Sequence, residues 1–421
     1  MKKSSFEQQD LTKQVFYNTQ YYQKEFEGYL FCYATFDQVI FQETQFIACN
    51  FNGAVFKNCI FQDVLFLYCH VEQTRFEDCE FDQVKVGQTD FEIAIVEDDS
   101  SINQRQASQR TLYISGYQYL VYHWPSRLRP ATDRQPTQEI DKSGERSDGK
   151  PLVLLHGMTG HPLDFQPLVN LLQRPVYAVS LYGHEGTSFL SAYDLEPLEG
   201  TLASWPKPQF QDVTFHLMNL VTEILGVDRY QEFDLLGYSL GGRIALHLGF
   251  LWQEQSLKRP MPHLRTLYVI GASMGLQDTS IKEARKESDE LWAQSLWQNR
   301  DVGAFLELWN KQPLLARVGE ANPIEARRLK KIRKKHQAQG LALAFNVLGQ
   351  GQMPPLHEQL TRLAIKTYWV YGTEDSKYAR IAEEACLSND LHEEIAIPNC
   401  GHAPHLENIN SFWNMMKNLL Y

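Results

Sequence analysis

From Phe31 to Phe91 the chain places a large apolar residue at every fifth position: Phe31, Phe36, Phe41, Phe46, Phe51, Phe56, Phe61, Phe66, Val71, Phe76, Phe81, Val86 and Phe91. An α-helix wants apolar residues three to four apart, and a strand wants them two apart. A period of five therefore predicts a coil whose turns each hold a whole number of pentads. A second, mostly small series stands two places earlier: Ala34, Val39, Thr44, Cys49, Ala54, Cys59, Val64, Cys69, Thr74, Cys79, Val84 and Thr89. Stacked coils at the strand spacing of about 4.8 Å would bury Phe on Phe. At roughly 1.5 to 3 kcal/mol per buried Phe, that burial offsets the ordering of a narrow rod. Phe16, Tyr21 and Phe26 continue the period more weakly. Residues 1–25 are expected to be a cap or disordered, and 26–95 to form the rod.

The ladder closely resembles the pentapeptide-repeat family, whose four-sided right-handed β-helix points both series inward. That resemblance implies about three coils between Phe31 and Phe91. After it the pattern changes. Residues 96–105 are polar and linker-like, and Thr111 to Tyr122 alternates around Gly116 as a hairpin does. Residues 126–150 are charged and contain Pro, as an exposed loop would. A second domain is expected over 106–421.

That domain carries the chemistry. Phe233 to Leu236 reads as a buried strand running into Gly237-Tyr238-Ser239-Leu240-Gly241-Gly242, with a helical run behind it. Such a sharp strand-to-helix turn holds the central Ser239 up at the sheet edge, near the positive end of the next helix. About eighty residues earlier, Pro151 to Leu155 runs into His156-Gly157-Met158-Thr159-Gly160. In the α/β-hydrolase fold this loop supplies one oxyanion-hole donor, here the amide of Met158, and Leu240 supplies the other. Two later strands lead to Asp375 and His402, completing the chain order Ser, Asp, His. His402 would relay the Ser239 proton and Asp375 would fix the imidazole tautomer. Glu374 competes with Asp375 for that role. His405, three residues from His402, has no third ligand near it in sequence, so no metal is expected. His156 and His184 read as structural loop residues.

From Pro151 onward the chain resembles an α/β-hydrolase with a helical lid at about 273–360. Within that fold it is most similar to the MenH family, 2-succinyl-6-hydroxy-2,4-cyclohexadiene-1-carboxylate synthases of menaquinone and phylloquinone biosynthesis. The resemblance rests on Leu155 to Gly160, Gly237 to Arg243, Gly275-Leu276-Gln277, Ala284 to Asp289, Trp309 with Gln312-Pro313-Leu314, and Gly372 to Lys377. It implies a lyase that eliminates pyruvate from a polyanionic cyclohexene, with Ser239 as base and no acyl intermediate. Arg243, Arg285 and Lys377 then face the substrate carboxylates, and Tyr238 and Trp309 line the pocket. The chain departs from the family at Ser180, Tyr182 and Asn346, where an Asp, a Pro and an Arg are common. An esterase-like enzyme of the same fold, acting on another small acid or ester, is the second reading.

Charge and composition narrow the partners. The 421 residues carry a formal charge of −11, which argues against non-specific nucleic-acid binding. Asp37 to Glu92 holds ten acidic residues against Lys57, Arg75 and Lys85, making the rod acidic. The lid, by contrast, has Arg327, Arg328, Lys330, Lys331, Arg333, Lys334 and Lys335, expected as a mostly solvated face whose field steers an anion. A reading from another class takes the rod as a gyrase-binding DNA mimic. The preferred one has it self-associate or dock to a protein partner. Four of the seven cysteines fall in the small ladder series, as buried free thiols would. No apolar run is long enough to span a membrane, no metal or organic cofactor is required, and the expected location is cytoplasmic.

Overall fold

The computed structural model describes residues 9–77, 79–82, 84–87, 95–96, 105, 107–126, 149–187, 202, 207–226 and 229–420. Contacts divide the chain into two compact units, 1–104 and 105–421. Thr89, Phe91 and most of the loop expected over 126–150 lie outside the described residues.

In the first unit the pentads stack as the period of five requires. Strands Val15–Tyr17, Thr35–Asp37, Val55–Lys57, Arg75–Glu77 and Ile95–Val96 pair in parallel with partners twenty residues apart, so four pentads make one turn. Two further sheets repeat this offset, and bridges joining Asp10, Leu30, Asn50 and His70 close a fourth side. Inside, Phe36 stacks between Phe16 and Phe56 with centroids 4.7 and 4.5 Å away, and Phe56 stacks on Phe76 at 4.9 Å. The small series does more than fill space. The Cys49, Cys59, Cys69 and Cys79 thiols and the Thr74 hydroxyl donate to carbonyls of the preceding coil, those of Phe26, Phe36, Phe46, Phe56 and Phe51. All four thiols are free and buried. Each corner is turned by a left-handed residue, every fifth one from Lys13 to Gln73. At one corner the Tyr33 ring covers the place a Cβ of residue 53 would take, so Gly53 is required there.

The first coil corrects the expected cap. Residues from Asp10 onward already belong to the β-helix, with Val15–Tyr17 and Gln20–Tyr22 paired to the coil above. The inward rings of Phe16 and Tyr21 are half-buried, less enclosed than those of the coils that follow.

The second unit is built on one eight-stranded sheet: β1 Ser108–Ile114, β2 Tyr117–Trp124, β3 Leu152–Leu155, β4 Val176–Val179, β5 Glu232–Tyr238, β6 His263–Ile270, β7 Lys366–Gly372 and β8 His392–Ile397. The order is β1-β2-β4-β3-β5-β6-β7-β8, with the β1–β2 and β2–β4 pairs antiparallel and the remaining pairs parallel. Strands β3 and β4 are buried on both faces, which explains their continuous apolar runs. Helices α1 Gln166–Leu171, α2 Phe210–Leu225 and α3 Leu240–Ser256 belong to the sheet's own layers. Between β6 and β7 come the lid helices α4 Thr279–Asn299, α5 Val302–Trp309, α6 Pro313–Ala321, α7 Pro323–Arg333 and α8 Ala338–Leu348. After the lid follow α9 Ser376–Ser388, α10 Pro404–Glu407 and α11 Ile409–Leu420.

Two corrections concern buried cations. Arg105, assigned above to the linker, is buried in this unit and donates to the carbonyls of Trp124, Val169, Leu172 and Arg174. The basic face of α7 is partly turned inward: Arg333 pairs with the buried Asp164 at 2.6 Å, and Arg328 donates to the Leu163 carbonyl.

Candidate active site

Strand β5 ends at Tyr238 and α3 begins at Leu240, which leaves Ser239 alone at the turn with φ 52° and ψ −107°. A left-handed Ser is strained, and small neighbours make the turn feasible. A Cβ on Gly237 would overlap the Gly241 carbonyl, and one on Gly241 would overlap that of Leu155. The Ser239 amide donates to the Ile270 carbonyl at 2.8 Å, tying the turn to β6.

Ser239, Asp375 and His402 converge. The His402 Nε2 lies 3.2 Å from the Ser239 hydroxyl and its Nδ1 lies 3.1 Å from the Asp375 carboxylate. Asp375 also caps α9, accepting the Tyr378 amide at 3.3 Å, so its second oxygen is held in place by the helix start. Glu374, the competing carboxylate, pairs instead with Arg317. The amides of Met158 and Leu240, the expected oxyanion donors, meet no acceptor among the described residues.

The predicted substrate cations gather from three helices. Arg243, one turn into α3, is buried and donates to the Leu348 carbonyl at 3.3 Å, with no carboxylate partner among the described residues. Burial pulls its guanidinium down to about 10, so it stays charged at neutral pH. Lys377 is also lowered, first by desolvation and then by the charge of Arg285, and its ammonium stands 5.2 Å from the Tyr378 ring centroid. Arg285 is more committed, pairing with Asp289 at 2.9 Å and donating to Gln350. Burial raises the Asp289 carboxyl despite that pairing. Tyr238 packs its ring on His405 at 4.6 Å and on His402 at 5.4 Å, and burial raises its phenol. Trp309 sits in the lid core, enclosed by Trp292, Phe305 and Phe345, a packing role that sequence alone does not separate from pocket lining.

Behind the oxyanion loop lies a cluster the sequence reading did not assemble. His156 takes the Leu181 amide on Nε2 and donates from Nδ1 to the Gly157 carbonyl. His184 takes the Thr159 amide and donates to the Tyr182 carbonyl. His336, just past α7, takes the Glu185 amide and donates to the Thr159 carbonyl. Each ring thus needs one bare nitrogen, which only the neutral imidazole has. Desolvation, helped by neighbouring rings, drives His156 and His336 well below the usual range; burial brings His184 to about 4. Unfolding restores an ordinary histidine near 6.5, so the unfolded chain binds more protons below that pH. Stability is therefore expected to be complete above pH 6.5 and to fall as the pH drops toward 4. Each such group contributes a slope of up to about 1.4 kcal/mol per pH unit. Urea midpoints at pH 7, 6 and 5 check this, and an unchanged midpoint contradicts it.

Residues 152–408, more than half of the chain, match the sequence profile described as the alpha/beta hydrolase family. The chain belongs to that family. Residues 26–80 also match the profile of pentapeptide repeats. Curated relatives named 2-succinyl-6-hydroxy-2,4-cyclohexadiene-1-carboxylate synthase include that of Photorhabdus laumondii, 26% identical over 270 residues, covering 64% of this chain and 84% of the relative. That of Shigella sonnei is 29% identical over 264 residues, covering 62% and 91%. Among solved structures, MenH from S. aureus aligns with TM-score 0.55 at 20% identity, over 73% of this chain and 98% of its own. A thermophilic esterase from Thermogutta terrifontis aligns with TM-score 0.55 at 15% identity, over 75% and 98%. At those identities the structures establish the fold. The chain is an enzyme of this superfamily, of MenH-type or hydrolase-like function. Among its described residues no helix is long and apolar enough to cross a membrane.

Proposed function

We propose that the enzyme is a MenH-type carbon–oxygen lyase that eliminates pyruvate from a polyanionic cyclohexene on the route to menaquinone or phylloquinone. The observation carrying this reading is the buried guanidinium of Arg243, one turn from Ser239, with no carboxylate within ion-pair distance among the described residues and Asp289 acting on it only from farther away. A plain ester needs no such cation, whereas a substrate with several carboxylates does. Arg285 and Lys377 add charge in the same region, and the relatives at 26–29% identity bear the synthase name. In the proposed step His402 takes the Ser239 proton, and Ser239 takes a proton from a ring carbon. The electron pair left on carbon forms the new double bond as the carbon–oxygen bond to the departing group breaks. His402 then gives its proton to the departing enolpyruvate, which is released as pyruvate; His402 and Ser239 end in their starting protonation states, and no bond forms to Ser239.

An ester hydrolase is the second reading, supported by the free Met158 and Leu240 amides, which suit a tetrahedral oxyanion. Pyruvate formation from the pathway cyclohexene, run beside a panel of small esters, separates the two. The lyase reading expects pyruvate to dominate; ester turnover without pyruvate contradicts it. Arg243→Ala is expected to lower kcat/KM by roughly 10- to 100-fold, mainly through KM, from the loss of a charged hydrogen bond worth about 1.5–3 kcal/mol. For the rod we infer a protein-contacting role, by self-association or by docking to a partner. Its deletion with oligomeric state and partner retention unchanged would contradict that.

A further inference from the structure

We propose that Glu407 is a positioning residue for His402, and that Arg317 of the lid helix α6 holds Glu407 to that task. The alignment of the base then depends on the lid. His402 sits on the short loop between β8 and α10, Pro398 to Ala403, and something must hold the amides on either side of it. Glu407 does so from the end of α10. One carboxylate oxygen accepts the Gly401 amide at 2.6 Å and the other accepts the Ala403 amide at 2.9 Å, so the two oxygens bracket His402 on both sides. Glu407 is itself buried, 4% exposed, and no hydrogen bond joins it to the imidazole. It acts through the backbone.

A buried carboxylate needs a cation as well as amides, and the cation comes from the lid. Arg317 Nε donates to Glu407 at 2.9 Å, one terminal nitrogen donates to Glu374 at 2.5 Å, and the other donates to the Asn399 carbonyl at 3.1 Å. Glu374 directly precedes Asp375, and its own amide donates to the Cys400 carbonyl. A single guanidinium thus ties the loop bearing the acid to the loop bearing the base. Room for it is reserved: a Cβ on Gly401 would come within 2.8 Å of the Arg317 Cδ. A second contact comes from Asn322, which caps the end of α6 and whose side chain donates to the Leu406 carbonyl of α10 at 3.2 Å. These contacts account for a carboxylate five residues past the base that the reaction itself does not use.

The inference rests on Ser239 and His402 working as a pair, and not on the identity of the substrate. Two readouts keep these apart: steady-state pyruvate formation, and the rate at which a fluorophosphonate labels Ser239, which needs the pair alone. Arg317→Ala is expected to lower both kcat and the labelling rate by about 10- to 100-fold, as misplacement of a catalytic group does. KM should stay within about twofold. Arg317→Lys should recover part of each loss. In a Glu407→Gln background, removing Arg317 should add little, because both act through one contact. A rise in KM with labelling unchanged, or losses that multiply in the double variant, would overturn the proposal. So would wild-type labelling in folded Glu407→Gln. If the wild type makes no pyruvate but the labelling pattern holds, the substrate reading fails and the clamp stands. A wild type that is neither labelled nor turned over refutes both.

Discussion

Ser239→Ala is expected to lose roughly 10²- to 10⁴-fold in kcat, the range assigned to a positioned general base, with KM and unfolding midpoint near wild type. The substitution removes only the hydroxyl that meets His402 Nε2 at 3.2 Å. In the proposed site Arg243 and Lys377 would still hold the substrate, so binding is expected to be retained while proton abstraction is not. Alanine keeps the Cβ, so the backbone strain at φ 52° is unchanged and stability gains nothing from its release. His402→Ala should lose activity to a similar degree, and the double variant should lose little more, because the two groups act as one unit. Steady-state kinetics of purified, folded variants check this. Activity within tenfold of wild type in Ser239→Ala would remove the serine from the mechanism.

The second large effect belongs to the rod. Phe56 is fully buried, stacked between Phe36 and Phe76, with Phe41, Phe51 and Phe61 around its edge. Truncation to Ala leaves a cavity bounded by rings whose parallel backbones are locked at strand spacing, so collapse is limited. The expected loss is about 3–5 kcal/mol, a large share of the stability of a narrow solenoid, with Phe56→Leu losing much less. The two units can be followed separately. All eight tryptophans lie at or beyond Trp124, so their fluorescence reports the second unit, while far-ultraviolet circular dichroism reports both. Phe56→Ala should lower the circular dichroism transition that has no fluorescence counterpart. Transitions identical to wild type would contradict the ladder as the source of the rod's stability.

Much of this was legible because the relevant signals are local and periodic. The five-residue ladder depends on side chains alone, and a slip of one position would turn every Phe outward. The elbow is a contiguous string whose glycines are demanded by close backbone approach, and the strands leading to Asp375 and His402 are short apolar runs with clear ends. The first coil was harder to read. Phe16, Tyr21 and Phe26 keep the period, but Gln14, Lys24 and Tyr29 stand where the small inward residues should be. A coil with one open face tolerates that. An aromatic in a lid serves packing and binding equally well in sequence, and the structure adds only that Trp309 packs against Trp292, Phe305 and Phe345. The histidine cluster and the Arg317 clamp were not legible at all. They join residues 25 to 177 positions apart, through side-chain-to-backbone hydrogen bonds at the histidines and an ion pair at Arg317, which leave no spacing pattern. A buried carboxylate at Glu407 and a histidine directly after a basic helix were the available hints.

The central claim is that Ser239 works as a base in a cation-lined site and takes no part of the substrate onto itself. Rapid quenching of the enzyme during turnover of the pathway cyclohexene, followed by intact-mass measurement of the protein and quantitation of pyruvate, tests it most directly. An unmodified protein mass at every time point and one pyruvate for each substrate consumed are expected. A transient adduct on Ser239, with no pyruvate in solution, would contradict it.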